Sequence, residues 1–282
     1  MYKRQTLTVW FVVPCLVALA ASALLRLRAA VIVNVVVLAV LLVWTGPDLR
    51  WWSSGPGVDG PTAVVASSNI AGDHDALDES AATLTRIDAD VLNVVELTPA
   101  ALAALHDAGI TERYPYRFEN PRNGAFGSGI YSRYPLRDAE DLVLAGAHMV
   151  KATVEMPFGA TTVVAVHTMQ PLANLDDLRA QMAALEELAA DTDGPLILAG
   201  DFNASRQHAT FRALLDSGLT DAHLSTGRGW AASWPEGRRL PPFALIDHVL
   251  VSDELAVDQV TEVRVPASDH RALVAVVGRA AS

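Results

Sequence analysis

Four apolar runs in this chain each stop at a residue able to hold a metal or move a proton. AVVASSN ends in Asn69, VLNVVE in Glu96, TTVVAVH in His167, and PLILAGDFN in Asp201 and Asn203. A fifth run, FALIDHVLV, carries Asp247 in its interior, where a buried carboxylate needs a partner. Side chains alternate along a strand, so His248 points to the opposite face and reads as structural. Near the C-terminus stands Ser268-Asp269-His270. If the runs are strands lying side by side, their ends build one site of carboxylates, amides and imidazoles. Oxygen ligands without cysteine suit a hard cation, Mg2+ or Mn2+, rather than structural zinc. Such an ion binds a phosphate oxygen and stabilises a leaving oxygen. Singly, each residue has an ordinary reading: Glu96 as surface, Asn69 as the start of a turn, His167 as a hydrogen-bonded edge histidine, Ser-Asp-His as a chance tripeptide. Gly200 is sharper, because glycine directly after an apolar strand lets backbone and ligands approach closely.

The elements that must position these residues follow from periodicity. Strands are predicted over 62–67, 91–95, 129–132, 196–199, 245–251, 260–265 and 273–277. Residues 149–155 and 161–166 read as a hairpin around Pro157-Phe158-Gly159. Leu77, Ala81 and Leu84 line one face of a helix. Thr98 is an N-cap with Pro99 at the first helical position, opening a helix to about 108. Leu175, Leu178, Met182, Leu185 and Leu188 form a helical stripe, with Asp176 and Asp177 favourably placed in its first turn. Phe211, Leu214 and Leu215 predict a further helix that stops at Gly218.

The front of the chain is a different object. Residues 6–25 and 29–45 are two uncharged apolar runs, the first of twenty residues and the second of about seventeen, at the short end for a span. They are separated by Arg26-Leu27-Arg28, and Trp44, Trp51 and Trp52 cluster at the exit as an aromatic belt. A signal peptide fits less well, since no small-residue cleavage site precedes the second run. The expectation is a membrane anchor over 1–48, a Gly/Pro/Ser linker over 49–61 and a globular domain over 62–279. Arg26 and Arg28 in a short loop favour the cytoplasm, which sends the domain to the extracytoplasmic side of a multi-pass cell-membrane protein. Lys3 and Arg4 pull the other way. The opening Met-Tyr-Lys-Arg-Gln resembles translated adapter sequence, so a further upstream span is expected.

Composition narrows the classes. Hydrophobic residues make up 51% and the mean hydropathy is +0.26, which excludes intrinsic disorder. The single Cys15 excludes a disulfide scaffold. Residues 59–282 hold 16 Lys and Arg against 31 Asp and Glu, a net −15, which argues against non-specific binding to a nucleic-acid backbone.

Taken in order, Asn69, Glu96, GSGIYSRYP (127–135), His167, GDFN (200–203), IDHVLVS (246–252) and SDH (268–270) resemble the endonuclease/exonuclease/phosphatase superfamily. The resemblance covers roughly 62–279. It implies an α/β, four-layer αββα sandwich of two mainly antiparallel sheets flanked by helices, here preceded by transmembrane helices. It implies that Glu96 ligates a divalent metal with Asn69 beside it, and that Asp269 helps hold that metal or its network. Asp201 and Asn203 would position the attacking water and the phosphate. His270 would act as general base or proton-managing histidine, oriented by Asp247, and His167 would bind the phosphate and its developing charge.

The reaction implied is metal-dependent phosphodiester hydrolysis. The substrate stays open between nucleic acid and a phospholipid head group or small phosphoester. Arg117, Arg122, Arg133 and Arg137 form the one local basic group in the domain sequence. The alternative is a catalytically silent membrane interaction protein of the same fold. No obligate protein partner is expected beyond the lipid bilayer.

Overall fold

The computed structural model describes residues 8–46, 52 and 55–281. Lys3, Arg4, Trp51 and the linker residues 49, 50, 53 and 54 lie outside the described residues. Among the described residues two six-stranded sheets stack face to face. The first sheet has the order β11-β12-β1-β2-β4-β3 and the second β5-β6-β7-β8-β10-β9. The first contains β1 (Val58–Asn69), β2 (Val91–Val95), β3 (Tyr116–Asn120), β4 (Ser128–Ser132), β11 (Leu255–Arg264) and β12 (Arg271–Ala280). The second contains β5 (Leu136–Leu144), β6 (Ala147–Met156), β7 (Gly159–His167), β8 (Leu196–Asp201), β9 (Thr220–Asp221) and β10 (Asp247–Val251). Each sheet is antiparallel except for one central parallel pair, β1 with β2 and β7 with β8. Those four strands therefore all end at the same edge of the sandwich.

Alternation decides what each face buries. Val65, Val91, Val95, Val163, Ala165, Ile197, Ala199 and Val249 fill the layer between the sheets. The opposite face of the first sheet packs Leu92 and Val94 against Ala81, Leu84, Ala101 and Leu105. Those residues lie on the helices Leu77–Arg86 and Pro99–Asp107. The opposite face of the second sheet packs Val164, Leu198 and Leu250 against Leu178, Met182, Phe211 and Leu214 of the helices Leu175–Asp191 and Ala209–Asp216. This is the four-layer αββα sandwich. Caps set the helix starts. The Thr98 side chain accepts from Ala101 N ahead of Pro99, and Asn174 accepts from Asp176 N and Asp177 N.

Three differences from the sequence reading have physical causes. β1 begins at Val58, inside the stretch read as linker, because Val58 and Asp59 pair with Ala280 and Arg279 of the last strand. Gly60-Pro61 marks a register shift there rather than a free tether, since a bulge tolerates a residue without N–H. β3 and β5 lack clean alternation, because β3 is partly exposed throughout and β5 is an edge strand with its own register shift.

At the front, Val12–Leu24 and Arg28–Thr45 form a helical hairpin closed through Asn34 Nδ2, which donates to Ser22 Oγ at 3.3 Å. Of the two expected spans, the 18-residue Arg28–Thr45 is long and apolar enough to cross a membrane. Val12–Leu24 has 13 residues and opens from a 3-10 turn over Thr8–Phe11. Val17, Val33, Val36 and Val40 project their side chains outward from the hairpin.

Candidate active site

The inner-face parity of the strands carries the chemical residues to one end of the inter-sheet layer. His167 lies opposite Asp201 across the parallel pair, and Asp201 opposite Asp247 across β8 and β10. These three form a row on the second sheet. Facing it, Asn69 pairs with Val95, so Glu96 follows directly beyond the end of β2. Glu96 has φ 56°, a left-handed conformation that a long side chain adopts at a cost of about 1–3 kcal/mol. Asn203 is likewise left-handed at φ 47°, where asparagine is better tolerated. His270 precedes β12, which runs antiparallel to β1 and so starts at the edge where β1 ends. The sandwich thus brings Asn69, Glu96, His167, Asp201, Asn203, Asp247 and His270 together.

Asn69 bridges the sheets: its Nδ2 donates to Glu96 Oε1 at 3.0 Å and to Asp201 Oδ2 at 3.2 Å, while its Oδ1 accepts from Ala71 N at 2.9 Å. Asn203 gives its backbone N–H to Asp201 Oδ1 at 2.8 Å and its Nδ2 to the Thr168 carbonyl at 2.9 Å. His167 Nδ1 lies 2.7 Å from the Ala125 carbonyl. A carbonyl only accepts, so Nδ1 carries the proton and Nε2 faces the site. That Nε2 stands 3.7 Å from both Glu96 Oε1 and Asp201 Oδ2. On the other side His270 Nδ1 pairs with Asp247 Oδ2 at 2.9 Å, and His270 Nε2 is 3.7 Å from Asp201 Oδ2. Asp269 sits at the rim: its Oδ1 is 3.9 Å from His270 Nε2, and its Oδ2 accepts from Trp234 Nε1 at 3.2 Å.

Charge follows from this packing. Burial opposes a charged His270, but the carboxylates of Asp247 and Asp201 outweigh it and push the imidazole up to about 10. Burial also raises Asp201, helped by the Asp247 carboxylate and opposed by His270 and His167. At neutral pH the site therefore sets a firmly protonated imidazole against a carboxyl group that is easier to protonate than usual.

Asp201, Asp247 and His270 offer ligand atoms within 4.8 Å of one another. The donors fit a hard divalent cation in kind, being rich in carboxylate oxygen. Within that trio, however, His270 Nδ1 is already committed to Asp247. Glu96 is half-buried and opens onto a cleft of ≈ 280 Å³ whose lining includes His167, Phe126, His148 and Gln170. It is the carboxylate at the mouth.

Further residues support the site from behind, and among them Ser233 and Asn93 carried no local signal. Ser268 Oγ donates to the Asn69 carbonyl at 2.8 Å and accepts from His270 N at 3.0 Å, tying the end of β1 to the start of its neighbour β12. Ser233 Oγ accepts from Asp247 N at 3.2 Å. Asn93, inside β2, donates to the Val164 and Ala199 carbonyls of the opposite sheet at 3.1 Å. His248 turns away as expected, pairing with Asp221 at 2.6 Å and packing on Phe211. The basic group is neutralised: Arg117 meets Glu119, Arg122 meets Asp141, Arg133 meets Asp88 and Asp90, and Arg137 meets Glu155.

A four-layer sandwich with carboxylates, amides and imidazoles converging at one sheet edge is the architecture of metal-dependent phosphoesterases. The family model described as "Endonuclease/Exonuclease/phosphatase family" matches residues 66–270. The chain belongs to that family. No curated protein matches it in sequence. Solved structures share the fold. Danio rerio TDP2 complexed with a single-strand DNA product is 17% identical, covering 78% of this chain and 100% of that one at a TM-score of 0.66. The Neisseria 3' phosphatase NExo, bound to a product DNA hairpin, is 20% identical over 76% of this chain and 98% of its own at 0.60. Sphingomyelinase C from Streptomyces griseocarneus is 17% identical over 77% of this chain and 99% of its own at 0.56.

Proposed function

We propose that this protein is a membrane-anchored, divalent-metal-dependent phosphodiesterase. The observation that carries the reading is the joined constellation of Asn69, Glu96, His167, Asp201, Asn203, Asp247 and His270 at one sheet edge. Glu96 holds the cation, Mg2+ or Mn2+, with Asn69 aligning its carboxylate and Asp269 contributing from the rim. When bound, the ion neutralises phosphate charge and stabilises the leaving oxygen.

The chain's own residues supply the rest. Asp201, buried and raised, is placed by Asn203 and Asn69 to orient a water and take its proton. Asn203 acts by fixing Asp201, to which its backbone N–H and its Nδ2 both donate. His270, kept protonated by Asp247, presents positive charge to the non-bridging oxygens and a proton for transfer. This favours the proton-managing role for His270 over that of a base. His167, with its tautomer fixed by Ala125, stabilises charge from the cleft side.

The anchor is read from the outward-facing apolar hairpin, taken as two spans with the domain outside the cytoplasm, since Arg26 lies in its connecting turn and Arg28 opens the second helix. The neighbours include proteins named for DNA and for sphingomyelin, which supports a phosphodiester substrate drawn from nucleic acid, a lipid head group or a small phosphoester. Pairing of the four arginines weighs against a nucleic-acid track. The test is hydrolysis of bis-p-nitrophenyl phosphate, plasmid DNA and sphingomyelin side by side, with Mg2+, with Mn2+ and with excess chelator. Metal-dependent turnover is expected. Full activity in chelator refutes the metal role, and inactivity on every phosphoester leaves the silent interaction protein as the reading.

A further inference from the structure

The Asp269 rim of the active site and the helical hairpin share one loop. Residues 227–245 connect the end of the short helix Ala222–Ser225 to β10. On one side this loop grips the site: Trp234 Nε1 donates to Asp269 Oδ2 at 3.2 Å, Glu236 N donates to the Asp269 carbonyl at 2.8 Å, and Arg238 lies 3.7 Å from Asp269. On the other side it meets the hairpin: Trp10 Nε1 donates to the Phe243 carbonyl at 2.8 Å, and the Trp10 and Trp230 rings meet edge to face at 5.5 Å. Arg206, in the loop that follows Asn203, donates to the Trp44 carbonyl at 2.7 Å. Trp10 and Trp44 lie at the ends of the hairpin away from its Arg26–Arg28 turn. The domain therefore rests on the hairpin with the same edge that carries the active site.

What the loop exposes suits a lipid interface. Trp230 and Leu240 are exposed, at 41% and 66%, and Arg239 is exposed beside Leu240. Of the loop's three arginines, Arg228 pairs with Glu262 at 2.7 Å and Arg238 lies 3.7 Å from Asp269, so Arg239 is the one the loop presents outward. Tryptophan, leucine and arginine side by side match the boundary between head groups and acyl chains, where amphipathic rings and long cationic stems are both satisfied.

We propose that residues 227–245 form an interfacial seat, with Trp230, Leu240 and Arg239 immersed in the anionic head-group layer, so that the Asp269 rim of the active site lies against the membrane surface. The proposal rests on the membrane anchor argued above and adds which rim of the site lies nearest the bilayer. Its consequence is a substrate met in, or against, the bilayer rather than in bulk solution.

The test uses the full chain with Cys15→Ala, reconstituted in nanodiscs of phosphatidylcholine and phosphatidylglycerol. Single spin labels go on Leu240→Cys, on Val36→Cys as the lipid reference and on Asp258→Cys as the aqueous reference. Collision with lipid-soluble oxygen and with a water-soluble nickel chelate reports depth. The Leu240 label should show an oxygen-to-nickel ratio severalfold above that at Asp258 and below that at Val36, the position of a group about 5–10 Å into the boundary. A Leu240 label that matches Asp258, with Val36 lipid-immersed, overturns the seat and leaves the anchor standing. A Val36 label open to the nickel chelate overturns both.

Discussion

Asp247→Asn is the sharpest perturbation of the site, because it removes a charge and keeps a shape. Raising His270 from 6.5 to about 10 takes roughly 5 kcal/mol of interaction at about 1.4 kcal/mol per pH unit. Three carboxylates share it, and Asp247 is nearest, at 2.9 Å against 3.7 Å for Asp201 and 3.9 Å for Asp269. Exchanging a charged for a neutral acceptor costs about 1–2 kcal/mol, so the His270 midpoint should fall by about one pH unit or more. The imidazole is raised in the folded state, so its contribution to stability is fully present below pH 6.5 and is lost as pH rises through about 10. In Asp247→Asn that loss should be smaller and complete at lower pH. The assay is a side-chain NMR titration of His270 in chelator, paired with denaturation curves across the same pH range. Kinetics supply the second arm. His270→Ala should lose on the order of a thousandfold in turnover, and the double variant little more than either single one, as for residues acting as a unit. An unmoved His270 midpoint in Asp247→Asn, or losses that multiply strictly, would refute the pairing.

Four further outcomes are expected. Glu96→Gln should fold normally but lose most activity at fixed Mg2+, with partial recovery as Mg2+ rises; unchanged metal dependence would remove Glu96 from the ligand set. Gly200→Ala should destabilise by about 1–3 kcal/mol in chemical denaturation, because a Cβ there would sit 1.9 Å from the Val166 carbonyl; a silent substitution would show that β7 can yield. Asp221 is buried, which alone would raise it, yet His248 holds it below 3.8; it therefore stabilises above that value and the benefit drains away as pH falls below it, and Asp221→Asn should flatten the acid limb of the stability profile. Alkaline phosphatase fused after Ser282 should be active and green fluorescent protein dark, and the reverse pattern would place the domain in the cytoplasm.

The sequence carried the strand cores well. Residues 91–95 and the Thr98-Pro99 helix start were legible because alternation and capping are local. β3 and β9 were not, since partly exposed or two-residue strands leave no periodic trace. Among the site residues, Asp247 was marked by a charge inside an apolar run, and His270 Nδ1 supplies the partner that burial demands. Ser233, Trp234 and the Ala125 carbonyl gave no warning, because each acts through loop contacts far away in sequence. The arginine group looked basic in one dimension and is neutral in three, each guanidinium having found a carboxylate.

By itself, then, the order of residues put Asn69, Glu96, His167 and Asp201 at the ends of apolar runs, a set of donors suited in kind to a hard cation. Parity along each strand was also fixed locally, which is why Asp247 and His248 face opposite ways. Only the tertiary structure decided how the groups are charged and who holds whom. Stacking two sheets carried Asn69 to within 3.2 Å of Asp201, 132 residues away, and closed His270 between two buried carboxylates. Proton affinity depends on burial and on neighbours within a few ångströms, and those neighbours come from strands that are distant in sequence.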